Sequence, residues 1–91
     1  GLNCPTVSSL AWPVLQDGVR AAVAVADADA AAAARDLAGY GVPAGPCGAA
    51  ALAGARAALG DPRRRADLAV DAEATVVLLC TEGVAANPVL A

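Results

Sequence analysis

The chain of 91 residues contains no histidine, no lysine, no methionine and no phenylalanine. Without histidine it can build neither a Ser-His-Asp triad nor a histidine metal site, and we expect no bound metal. Without lysine it has no phosphate-loop lysine and no amine side chain that could form a Schiff base. Catalysis that needs either residue type is therefore excluded within this chain.

Aromatic residues and positive charge are also scarce. The chain has one Trp, one Tyr and a net charge of −3, and arginine is its only basic residue. Its single basic run, residues 63–65, is interpreted as a solvated helix face. Because no aromatic platform accompanies that run, we expect no nucleic-acid partner.

The three cysteines, at positions 4, 47 and 80, are odd in number and form no Cys-x-x-Cys pair. Reduced thiols in a cytoplasmic protein are the simplest interpretation. The first residues, Gly-Leu-Asn-Cys-Pro, do not resemble a signal peptide. The alanine-rich stretch 21–34 is too short for a membrane span and is interrupted by Asp27 and Asp29. We therefore expect a cytoplasmic protein with no membrane partner.

Alanine dominates what is present, and hydrophobic residues make up 58% of the chain. At about 25 cal/mol per Å² of buried apolar surface, a core of alanine, valine and leucine is weak for its length. We expect marginal stability unless the chain pairs with something else.

Two apolar runs, residues 20–26 and 74–83, have the pattern of buried strands, since aliphatic and β-branched residues recur and a polar residue ends each run. Helical patterns lie between them, and this alternation predicts an α/β fold. The expected architecture is part of a parallel, helix-flanked sheet in a three-layer α/β/α arrangement. Two parallel strands cannot cover themselves, so residues 1–91 are expected to form a single fragment of an incomplete domain.

The helices are predicted from apolar spacing and from their start and stop residues. Trp12 is interpreted as a packing anchor of the first helix. Four helices are predicted. The first contains Trp12 and Pro13 and ends at Asp17-Gly18, and the second runs from Asp27 or Asp29 to about Tyr40. The third covers residues 49–59, and the fourth is short, with Asp61 as N-cap and Pro62 at its first position.

Two places in this scheme could carry a site. Ligands of α/β sheets bind beyond the carboxyl ends of strands, where Cys80, Thr81 and Glu82 stand. The glycine-containing turn 41–48 opens a helix, whose unpaired N–H groups can contact an anion or a cofactor. An ordinary strand exit and an ordinary structural turn explain the two patterns equally well.

Three segments of the chain, in order, resemble a known family. Residues 1–8 read Gly-Leu-Asn-Cys-Pro-Thr-Val-Ser, residues 45–50 read Gly-Pro-Cys-Gly-Ala-Ala, and residues 78–83 read Leu-Leu-Cys-Thr-Glu-Gly. They resemble the Gly-Leu-x-Cys segment, the Glu-Pro-(Ala/Ser)-Gly-Ala turn and the Ser-Thr-Glu-Gly strand end of fold-type II pyridoxal-phosphate enzymes. This tryptophan synthase β-like superfamily includes diaminopropionate ammonia-lyase and threonine dehydratase. Gly45 stands where the dehydratase turn has glutamate, so the contact of that acid is expected to be absent.

The resemblance implies pyridoxal phosphate as the cofactor, with Pro46 and Gly48 beside it and Cys80 or Thr81 bonded to its pyridine nitrogen. Thr81 is the better hydrogen-bonder. Cys80 stands where the ammonia-lyase branch has serine, so the choice stays open. The Schiff-base lysine and the phosphate loop would belong to the remainder of the enzyme chain. No catalytic residue is therefore expected here.

Two hypotheses about function follow from these observations. In the first, the chain is the carboxyl-terminal portion of a pyridoxal-phosphate-binding domain. The whole enzyme would be an amino-acid ammonia-lyase or dehydratase that releases ammonia from a small amino acid by β-elimination, as a homodimer, and the fragment alone would be inactive. In the second, the chain is a stand-alone α/β interaction or regulatory module that pairs through an open sheet edge.

Overall fold

The computed structural model describes residue 2, residues 4–83 and residue 85. Positions 1 and 3 of the first resembling segment lie outside the described residues. The predicted order of helices is confirmed, and the third helix begins three residues earlier than predicted, at Pro46. The helices are α1 (Trp12–Gly18), α2 (Asp27–Gly39), α3 (Pro46–Leu59) and α4 (Pro62–Asp67).

Local sequence explains where the helices begin. Proline occupies the first turn of α1, α3 and α4, where its missing N–H costs no helical hydrogen bond. The Asp61 carboxylate accepts a hydrogen bond from the Arg63 N–H at 2.9 Å, which confirms it as the N-cap of α4. The Asp29 carboxylate reaches back to the Ala26 N–H at 3.3 Å and stabilises the start of α2.

The core lies between α2 and α3 and consists of alanines. Ala33 and Ala49 are fully buried, and small side chains on both helices allow the two backbones to approach closely. The Arg56 guanidinium on α3 pairs with the Asp36 carboxylate on α2 at 2.7 Å at the half-exposed rim. The buried cluster comprises Ala33, Ala34, Ala44, Ala49 and Ala53, with Val25, Leu37 and Leu52 packed against it.

The predicted parallel sheet is not seen among the described residues, whose secondary structure is mainly helical. Residues 20–25 and 75–81, which we call the first and second segments, are non-helical, and none of their backbone groups pairs with another backbone group there. Among the described residues the β-type pairing is a single antiparallel bridge between Ala44 and Gly83. A parallel strand pairs its backbone with a neighbour about 4.8 Å away, and no such pairing involves either segment among the described residues.

Several side chains that were predicted to be buried are exposed, because the sheet that would bury them is not formed among the described residues. Val77 and Leu79, predicted to lie in a buried strand, are 77% and 72% exposed. Trp12, interpreted as a packing anchor, is 49% exposed, and α1 buries no residue. Val25 of the first segment packs against the alanine cluster, whereas Val77 and Leu79 of the second segment lie largely in solvent. No helix in the described part of the chain is long and apolar enough to cross a membrane.

Candidate functional site

The end of the second segment lies across the first turn of α3. The Gly45 N–H donates to the Glu82 carbonyl oxygen at 3.3 Å, and the Ala44–Gly83 bridge lies beside this bond. The two regions selected from the sequence, the turn before α3 and the end of the apolar run, therefore meet in space.

The carboxylate of Glu82 caps α3. Its Oε1 accepts hydrogen bonds from the backbone N–H of Cys47 at 2.5 Å and of Gly48 at 3.3 Å. The first N–H groups of a helix have no partner within the helix, and the helix dipole favours a negative charge at that end. Gly45, at the N-cap position, offers no side chain for this purpose. A half-buried acid more than thirty residues away in the sequence supplies the cap instead.

Gly48 is required by the closeness of this contact. A Cβ atom at Gly48 would stand 2.7 Å from the Cys80 Sγ and 3.0 Å from the Glu82 carbonyl oxygen. The first distance is shorter than Cβ atoms adopt, and the second, to a backbone atom, is tighter than nearly all Cβ contacts. The glycine therefore allows the second segment to touch α3.

The two candidate hydrogen-bond donors at this junction differ in availability. The Cys80 thiol donates to the Glu82 carbonyl oxygen at 3.5 Å, so its one proton is directed into the chain's own backbone. The Thr81 side chain is exposed, and within the described residues its hydroxyl makes no hydrogen bond. Both groups are neutral donors, and the hydroxyl is the stronger one.

All four residues selected from the sequence lie in one neighbourhood. Pro46 and Gly48 form the first turn of α3, and Cys80 and Thr81 directly precede the capping acid. Their contact with a cofactor stays a prediction. The described residues contain no group of three acidic or cysteine side chains arranged to hold a metal ion.

Sequence reasoning missed the role of Glu82. It treated this residue as part of a strand end and stated that the acid of the dehydratase turn, replaced here by Gly45, leaves no counterpart. A carboxylate does reach that turn, but it comes from Glu82, the residue that follows the second segment. The available signal was the start of α3 itself, since a helix that begins Gly-Pro has no side chain to cap it.

Comparison with known proteins gives one match. The sequence model of a family described as pyridoxal-phosphate dependent enzyme matches residues 1–82, which is most of the chain. Comparison with curated proteins and with solved structures gives no match. The matched range ends at Glu82, so it contains the turn before α3, the second segment and the capping acid.

Proposed function

This chain belongs to the family of pyridoxal-phosphate-dependent enzymes, and we propose that it is the carboxyl-terminal part of the cofactor domain of an amino-acid ammonia-lyase or dehydratase. The proposed reaction is β-elimination, with release of ammonia from a small amino acid. The observation that carries the proposal is the junction at which Glu82 joins the turn of α3 to the end of the second segment.

The donor set at the junction fits the ring nitrogen of the cofactor. When bound, the cofactor supplies an aromatic ring that withdraws electrons from the substrate's reacting carbon. We assign Thr81 as the partner of the pyridine nitrogen, because the Cys80 proton is already directed at a backbone oxygen. A neutral hydroxyl leaves that nitrogen largely unprotonated, which weakens electron withdrawal and suits β-elimination.

The capping acid has a positioning role in this proposal. Glu82 holds the strand end against α3 through Cys47 and Gly48, so the backbone that carries Thr81 keeps its place. Because Gly48 carries no Cβ, the chain at Cys80 and Glu82 can lie directly against α3. The exposed Thr81 hydroxyl is thus carried by backbone that the next residue, Glu82, fixes to α3.

Covalent attachment of the cofactor does not fit this chain, since it contains no lysine. The lysine and the phosphate-binding groups are proposed to come from the remainder of the enzyme. We likewise propose a small amino-acid substrate, a homodimer and a cytoplasmic location for the whole enzyme.

The test uses the holoenzyme that contains this sequence. Ammonia and 2-oxo acid release from serine, threonine and 2,3-diaminopropionate is measured for Thr81→Val and for the matched variant Cys80→Ala. Loss of the Thr81 hydrogen bond is expected to lower kcat by about tenfold, which corresponds to about 1.4 kcal/mol. The absorbance spectrum of the bound cofactor should shift in the Thr81→Val variant and stay unchanged in Cys80→Ala.

Two results would contradict the proposal at different levels. A spectral shift in Cys80→Ala alone would reassign the nitrogen contact to the thiol. A protein that binds no pyridoxal phosphate and releases no ammonia from any of the three substrates would overturn the lyase assignment. The interaction-module hypothesis would then be the better account of the chain.

A further inference from the structure

We draw no further inference here: the strongest candidate, the exposed apolar surface of α1 at Trp12, Val14 and Leu15, carries nothing because nothing in the structure shows what covers it.

Discussion

The α2–α3 interface and the two non-helical segments are built from small and aliphatic residues, but the first is buried and much of the second is exposed. Ala33 and Ala49 in the interface are fully buried, whereas Val77 in the second segment is 77% exposed. Each helix satisfies its backbone internally, so its alanine face needs only a matching face from the other helix. A strand pairs its backbone only with a neighbouring strand, and neither segment has such a pairing among the described residues.

The two regions also differ in whether they form their own hydrogen bonds. The helical layer supplies its own hydrogen bonds, its own small-residue packing and an ion pair at its rim. The second segment is held to that layer mainly at its end, where Glu82 caps α3. The described part of the chain therefore contains a helical layer that satisfies its own hydrogen bonds and two extended segments whose backbone groups are not paired with one another.

The largest effect is expected for Ala33→Leu in the buried interface. The added carbons have no space between α2 and α3, and the free energy of unfolding should fall by about 3 kcal/mol, the upper end for overpacked cores. Urea unfolding followed by circular dichroism measures the change. Ala38→Leu, the same substitution at an exposed position of α2, should change the stability little, and an equal loss in both variants would contradict a close-packed interface.

The next effect is expected for Gly48→Ala, at the contact between the layers. The new Cβ would collide with the Cys80 Sγ at 2.7 Å and with the Glu82 carbonyl oxygen at 3.0 Å. We expect a loss of about 2 kcal/mol in the free energy of unfolding. The double variant with Cys80→Ala should recover only part of this loss, because the backbone oxygen remains. Full recovery would mean that the thiol alone sets the distance.

A smaller effect is expected for Glu82→Ala, which removes the cap of α3. The N–H groups of Cys47 and Gly48 lose their acceptor, and a loss of about 1 kcal/mol is expected. Glu82→Gln keeps an acceptor oxygen without the charge and should lose less. Thermal unfolding of both variants at low and moderate salt measures the difference, and equal loss in the two would show that the charge is the main contribution.

The sequence predicts local structure well and long-range contact poorly. Asp61 and Pro62 mark the start of α4 within adjacent residues, and the first residues of α2 likewise contain their own acid. The Glu82 cap joins residues 34 and 35 positions apart, and no local pattern indicates which helix such a distant acid will reach.

The apolar run 74–83 illustrates a different limit. Its residues indicate that the strand requires cover on both faces and pairing on both edges. They do not indicate whether that cover lies in the same 91 residues. The prediction of an incomplete domain followed from counting strands, and it stays a prediction.

The smallest effect is expected for Val77→Thr, the counterpart of the substitution in the buried interface. Val77 is exposed and its backbone is unpaired, so replacing a methyl group with a hydroxyl should change the free energy of unfolding by less than about 0.5 kcal/mol. Urea unfolding followed by circular dichroism measures the change. A loss of stability comparable to that of Ala33→Leu would mean that the second segment is already covered in the free chain, and the contrast between the two layers would fail.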